Sequence, residues 1–379
     1  MNIRFRQLPL ALALALALAL GALALGTSAA ARADITIAIA GPMTGPVTQY
    51  GDMVKEGVNT LVEQVNAAGG VDGEQLRVVT LDDGCEPKQA PVVANRVVND
   101  KIGFVVGHVC SGATIAAADI YDDEGVVMVS PSATSPALTD GKSYHTIFRT
   151  IGRDDQQGPA AAEFIIASVK PTKVAVLHDK QSYGQGIATA VRDDLKKAGI
   201  EIALFEGINA GDSDYSAIIT KLRSAGVDFV YYGGYHPEMG LLLRQANEQG
   251  LKARFMGPEG VGNNDINAIA GKAADGMLVT LPADFTQDPK NAEIVKAFKD
   301  KGRDPGGAFQ MTAYTAAQVL VDAMKGAKSK DPEEVAKYLH ANTFDTPIGP
   351  VSFNEQGDLE KFEFDVFEWS SDGTKKSVK

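Results

Sequence analysis

Short apolar runs alternate with amphipathic ones along most of the chain. "ITIAIAGPM" reads as a buried strand running into a Gly/Pro loop. The next stretch, "YGDMVKEGVNTLVEQVNAAGG", places apolar side chains at Val54, Val58, Leu61, Val62 and Val65, a helical spacing that stops at Gly69-Gly70. "QLRVVTLDD", "GFVVGHV", "VVMVSP", "KVAVLHD", "VDFVYYGG" and "GMLVTLP" are further strands of the buried type. "PKQAPVVANRVVND" reads as a helix with its prolines confined to the first turn, where a missing N–H does no harm. "YGQGIATAVRDDLKKAG", "YSAIITKLRSAG" and "MGLLLRQANEQG" are helices ending at Gly. Strand, helix, strand repeated in this way predicts an α/β fold of mostly parallel sheets with both faces covered. The character changes late. "GPVSFNEQGDLEKFEFDVFEW" reads as two strands joined by a turn at Glu355-Gln356-Gly357-Asp358, and the polar tail after Trp369 is expected to fray.

The first residues follow another pattern. Arg4 and Arg6 precede an Ala/Leu run from Leu10 to Leu25, and Ala31-Arg32-Ala33 has the small-x-small form of a cleavage site. That predicts a secretory signal peptide over 1–33, cut after about Ala33, rather than a membrane anchor. No later segment is long and apolar enough to span a bilayer. The formal charge of the precursor is −12, and losing Arg4, Arg6 and Arg32 makes the exported chain more acidic still. Nucleic acid and anionic membrane are poor partners for such a surface. The length predicts two domains.

The two cysteines, Cys85 and Cys110, both lie in the exported part. In an oxidising compartment a pair of this kind predicts a disulfide, worth roughly 3 kcal/mol in the chain-entropy account. A catalytic or metal-binding thiol is the competing reading. The five histidines, at 108, 145, 178, 236 and 340, show no ligand spacing, and no metal or cofactor is expected.

Ligands of open α/β sheets bind outside the carboxyl ends of the strands. Four loops there are rich in Gly, Ser, Thr or Pro: "GPMTGPVTQYGD", "GHVCSGAT", "SPSATSPALT" and "GPEGVGN". Ser111 sits between a strand and a helix, so its hydroxyl and N–H are placed to hold an anion. A plain helix cap and a nucleophile are the alternatives. The nucleophile is disfavoured, because G-x-S-x-G is absent and His108 lies on or near the strand. Neither G-x-x-x-x-G-K-[ST] nor a GxGxxG after the first strand occurs.

"GPMTGPVTQYGD", "DDGCEPKQA", "VVNDKIGFVVGHVCSGAT", "HDKQSYGQG", "DFVYYGGYHPEMG", "FMGPEGV" and "GDLEKFEFDVFEW" together resemble the periplasmic leucine/isoleucine/valine-binding proteins of Gram-negative ABC transport systems. The likeness runs through the whole exported chain. It implies a type I periplasmic binding protein fold, with two α/β lobes joined by three hinge crossings. One lobe would take 34–153 and 283–364, the other 154–282 and 365–379. It implies a monomer that is not an enzyme, holds a free L-amino acid (leucine, isoleucine or valine) in the cleft, and delivers it to an inner-membrane permease.

Residue by residue, the resemblance gives Ser111 and Thr134 to the ligand carboxylate. The Ser132 carbonyl and the Thr134 hydroxyl would accept from its ammonium, Glu259 would be the acidic partner of that ammonium, and Tyr235 a polar contact from the second lobe. Tyr50, Val109, the Cys85–Cys110 bridge, Tyr183 and Phe309 would wall the side-chain pocket. Ser132 stands where familiar relatives have a small apolar residue, and Val109 where they have a larger aliphatic one, which opens the pocket. Taken without the resemblance, Tyr50 also reads as a loop aromatic, Tyr183 and Tyr235 as ordinary packing, and Glu259 as a solvated loop acid. His236 reads as the start of a Pro-containing helix with no ligand role. Rival functions are the same fold holding another amino acid or an amide, a ligand sensor for a signalling protein, and an exported hydrolase using Ser111.

Overall fold

In this computed structural model the described residues are 34–378, so the signal-peptide reading of 1–33 lies outside them. The chain begins with β1 (Ile35–Gly41), α1 (Thr48–Ala67), β2 (Leu76–Asp82), α2 (Ala90–Asn99), β3 (Phe104–Gly107), α3 (Ser111–Asp123), β4 (Val127–Ser130) and β5 (Ile147–Arg149). These strands form one sheet in the order β2-β1-β3-β4-β5. Every neighbouring pair is parallel, because a connecting segment carries the chain back before each new strand. The inner strands β3 and β4 are buried at every position, as their unbroken apolar runs require. Helix α1 lays Val54, Val58, Leu61, Val62 and Val65 against the core. Each such side chain contributes about 1.5–3 kcal/mol when fully buried. Its end is set by Gly69 and Gly70, at φ 102° and 82°. The Gly70 N–H returns to Val65 O at 2.9 Å, and a side chain there would collide with Glu74 O.

The second unit runs α4 (Asp154–Phe164), β6 (Val174–His178), α5 (Ser182–Lys197), β7 (Ile202–Gly207), α6 (Ser216–Ala225), β8 (Phe229–Gly233), α7 (His236–Glu248), β9 (Arg254–Gly257), α8 (Asp265–Ala270) and β10 (Leu278–Pro282). The chain then returns through α9 (Ala292–Asp300), α10 (Gln310–Ala327) and α11 (Pro332–Ala341). Helix α10 packs along α1 so closely that a Cβ on Gly57 would lie 2.4 Å from Gln310 O. The last strands are β11 (Phe344–Thr346), β12 (Gly349–Val351), β13 (Phe364–Trp369) and β14 (Lys375–Ser377). The second sheet has the order β14-β13-β10-β9-β8-β6-β7, with β13 and β14 antiparallel to their neighbours. The chain therefore passes between the sheets after Arg149, after Pro282 and before Phe364.

Two sequence expectations need correction. The turn at Asn354–Asp358 is present, with Asn354 N donating to Asp358 O at 2.9 Å and Phe353 bridging antiparallel to Leu359, but the hairpin ends with that one pair. β12 pairs with β11, while β13 crosses to β10 of the other sheet. The turn itself docks on β5, where Arg149 N donates to Gly357 O at 3.0 Å. The tail after Trp369 does not fray either. β14 pairs with β13, and Lys375 Nζ donates to Gly306 O at 2.6 Å.

Candidate functional site

The carboxyl ends of β1, β3 and β4 carry loops that meet those of β6, β8 and β9. On the first side, Cys110 takes the cap position in extended backbone and Ser111 is the first residue of α3. The Ser111 hydroxyl is buried and accepts from Ser135 N at 3.3 Å. The loops after β3 and β4 are laced together. Ser130 Oγ donates to His108 O at 2.7 Å, Ser132 Oγ donates to Val109 O at 2.9 Å, and Ala133 N donates to Ser130 Oγ at 3.0 Å. With its hydroxyl so occupied, Ser132 is held with its backbone in a fixed position. Cys85 and Cys110 form a disulfide with Cα atoms 5.4 Å apart, which ties the loop after β2 to the start of α3. Val109 is buried below, with Gly41 so close that a Cβ there would sit 2.5 Å from Val109 Cγ2.

On the second side Glu259 opens a short turn after β9 and is 2% exposed. Thr134 Oγ1 donates to Glu259 Oε1 at 3.5 Å, across from the first side. Gln157 Nε2 donates to the other oxygen of Glu259 and also to Thr280 Oγ1 at 3.0 Å. Gly260 N donates to Tyr183 Oη at 3.0 Å, and Tyr50 Oη donates to Gly260 O at 2.6 Å. Gly260 must stay bare, since a Cβ would come within 2.8 Å of the Tyr183 ring. Aromatic rings close the space between the sheets. Tyr50 stands 5.4 Å from Phe309 and 6.1 Å from Tyr235, and Tyr183 stands 5.3 Å from Tyr235, centroid to centroid. Ser111, Ser132 and Thr134 thus line one bank, Glu259, Tyr183 and Tyr235 the other, with Tyr50 and Phe309 reaching across from the first.

Burial sets the protonation states. It pushes the phenols of Tyr50 and Tyr183 well up, with the Glu259 charge adding to the effect, so both remain O–H donors. Burial also raises the Tyr235 phenol, with Asp179 and Glu259 adding to it. It raises the Glu259 carboxyl as well, against the opposing hydrogen bonds from Gln157 and Tyr183. His236 is pushed down to about 4 and is therefore neutral at pH 7. Its Nδ1 lies 3.2 Å from Tyr50 Oη, so it helps to position that ring. Three residues of the second bank carried no signal of their own in the sequence: Asp154, Gln157 and Thr280. The first two sit in the opening turns of α4, where an acid or an amide looks like routine capping. Among the described residues, no group of three or more His, Cys, Asp or Glu side chains is placed to hold a metal ion, and no helix is long and apolar enough to cross a membrane.

Hydroxyls and a helix N-terminus on one bank, facing a carboxyl on the other, fit a small molecule with an anionic and a cationic end. The profile of the periplasmic binding protein family matches residues 34–374. The chain belongs to the periplasmic binding proteins. Among this family's members, the leucine-, isoleucine-, valine-, threonine- and alanine-binding protein of Pseudomonas aeruginosa is 58% identical over 345 residues, covering 91% of this chain and 92% of its own. The Leu/Ile/Val-binding protein of Escherichia coli is 51% identical over 346 residues, covering 91% of this chain and 94% of its own. Solved binding proteins superpose over nearly their full length. The leucine binding protein of Thermotoga maritima does so with a TM-score of 0.84 at 28% identity, over 91% of this chain and 98% of its own. The branched-chain amino acid transporter substrate binding protein of Streptococcus pneumoniae, in complex with isoleucine, gives a TM-score of 0.83 at 27% identity, over 92% of this chain and 100% of its own. The two sheets with their flanking helices are the two lobes of the type I fold of this family.

Proposed function

We propose that this chain is the solute-binding component of a branched-chain amino acid ABC transport system. It takes leucine, isoleucine or valine between its lobes by closure and presents it to an inner-membrane permease. The observation that carries this reading is the Thr134–Glu259 contact, 3.5 Å across the cleft, in a site whose anion-holding bank begins at Ser111. The ligand carboxylate takes Ser111 and the backbone N–H groups around it. The ammonium takes the Ser132 carbonyl, the Thr134 hydroxyl and the Glu259 carboxylate. A zwitterion leaving water needs both ends served in this way. Tyr235 closes from the second lobe, and Tyr50, Val109, the Cys85–Cys110 bridge, Tyr183 and Phe309 surround the side chain.

The lobes we assign are 34–153 with 283–364, and 154–282 with 365–379. They move about the three passages as rigid halves. Export with cleavage after about Ala33, and action as a monomer in the periplasm, complete the reading.

A calorimetric ligand panel, run on protein refolded to strip any carried-over ligand, tests it. Buried CH₂ groups contribute about 0.8 kcal/mol each, so leucine is expected to bind about 30- to 150-fold more tightly than alanine. Isoleucine and valine are expected within about tenfold of leucine, because one methyl discriminates weakly. Tightest binding of alanine or of a charged amino acid would remove the wall assignment. Absence of binding by any free amino acid would remove the function.

A further inference from the structure

Asp154 opens helix α4 directly after the first passage between the sheets, and it is 1% exposed. Neither of its carboxyl oxygens has a hydrogen-bond partner among the described residues. Its backbone N–H donates to Thr134 O at 2.9 Å, which fixes it beside the loop that carries the Thr134 hydroxyl. Glu259 is the foremost of the charges acting on it. One turn along the same helix, Gln157 donates to Glu259 and to Thr280.

A count of donors separates the two carboxyls. The Thr134 hydroxyl has a single proton, and it points to Glu259 at 3.5 Å. Gln157 also serves Glu259, and the Tyr183 hydroxyl does the same. Asp154 competes with Glu259 for that same Thr134 hydroxyl and has no donor of its own. A buried carboxylate without a donor is costly, and two ionised carboxylates side by side are more so. The remaining neighbours give it no hydrogen bond, though the nearby charge of Arg149 eases it. Arg149 spends its guanidinium on Asp358, Ala133, Ser135 and Thr139. Asp155 is held by Arg153 at 2.8 Å. Tyr183, Tyr231 and Tyr235 feel the charge of Asp154, and burial keeps all three phenols neutral.

We infer that Asp154 is a second acidic arm of the ammonium subsite, sharing one proton with Glu259 beside the Thr134 hydroxyl and giving that proton up when a primary ammonium enters. The inference rests on the function proposed above. The charge balance favours it. Before binding, the pair holds one proton and carries one negative charge. After binding, two carboxylates surround one ammonium and the net charge is again one negative, with the proton released to solvent. At the ammonium subsite itself the charge is thus unchanged, while the carboxylate of the zwitterion brings one further negative charge, met on the other bank by Ser111 and the N-terminus of α3. The second arm also gives each N–H of a primary ammonium an acceptor among Glu259, Asp154 and the Ser132 carbonyl. A secondary amine or a hydroxy acid fails this arrangement.

Leucine titrations in two buffers of different ionisation enthalpy, between about pH 6 and pH 8, count the proton. The wild-type protein is expected to release a proton on binding leucine, with affinity rising by up to roughly tenfold per pH unit on the acid side. Asp154→Asn leaves Glu259 to titrate alone, its carboxyl pushed up by burial to about 7, and is expected to release no proton near pH 8. It would match the wild type near pH 6 and fall about 10- to 150-fold behind near pH 8, the value of a hydrogen bond to a charged group. Near pH 8, proton release by Asp154→Asn equal to that of the wild type, or undiminished affinity, overturns the role of Asp154. Glu259→Gln keeps the two readings apart. If it binds leucine as tightly as the wild type, the proposed clamp itself fails. If it weakens binding while Asp154→Asn behaves as wild type, only the second arm fails. Should Asp154→Asn not fold, the α-hydroxy analogue of leucine decides with the wild-type protein: leucine releases the proton and the analogue does not, and equal release from both overturns the inference.

Discussion

Arg149 and Asp154 lie on either side of one passage between the sheets, and both are buried. Their surroundings differ completely. Arg149 Nε lies 2.6 Å from Asp358 Oδ1, a close ion pair, while its terminal nitrogens donate to Ala133 O, Ser135 O and Thr139 Oγ1. Asp358 also accepts from Arg153 at 2.8 Å and from Thr139 at 2.9 Å. Asp154 lacks donors of its own beside a Glu259 that has them, and burial raises both carboxyls. The first cluster is complete within the protein and fastens the turn at Asn354–Asp358 to β5. The second is complete only with a cation that the protein does not itself provide. Buried charge with every partner present marks structure here, and buried charge short of partners marks the binding place.

Breaking either cluster should therefore affect different measurements. Asp358→Ala leaves Arg149 uncompensated in the interior and is expected to cost about 3–5 kcal/mol of stability in urea unfolding. Leucine affinity of the molecules that remain folded should change little. A loss of affinity without a loss of stability would reverse the contrast. Glu259→Ala should do the opposite. Binding of leucine should weaken by about 30- to several-thousand-fold, on the scale of a truncated buried charge pair, with folding of the unliganded protein retained. A loss below about threefold would return Glu259 to an ordinary loop acid.

The remaining two predictions sharpen the first bank. Reduction of Cys85–Cys110 is expected to lower stability by roughly 3 kcal/mol and to loosen leucine binding modestly, because the bridge ends beside Ser111. Two titratable thiols in protein isolated from the periplasm would contradict this. Ser111→Ala removes one neutral hydrogen bond to a charged ligand end and should weaken binding by about 10- to 150-fold. Turnover of an amino acid ester that disappears in this variant would restore the nucleophile reading.

Much of the site was legible because its residues fall in loops at strand ends, where local composition is itself the signal. Ser111 follows β3 and opens α3, and Glu259 follows β9, both within runs of small residues. Asp154 and Gln157 gave no such signal, since only the return of β9 and β10 in space turns them from capping residues into neighbours of Glu259. Helix α10 gives no periodic signal for a related reason. It is buried at every position from Gln310 to Ala317, so no polar face alternates with an apolar one. The hairpin that stops at the Phe353–Leu359 pair shows the limit of a turn signal. It describes a local reversal and is silent about which sheet the next strand will join. β7 has no strong apolar run because it is only half-buried throughout, as an edge strand is.

The outer flank of the second sheet has a practical side. β14 covers the open hydrogen-bonding side of β13, and Val378 N donates to Val366 O at 2.9 Å to finish the ladder. Cutting the chain back to Ser370 would leave "FDVFEW", rich in aromatic and β-forming residues, as a bare ribbon ready to zip against another copy. A purification handle at this end belongs beyond a flexible spacer, so that it does not peel the last strand away. A shortened version made for crystallisation is better trimmed elsewhere.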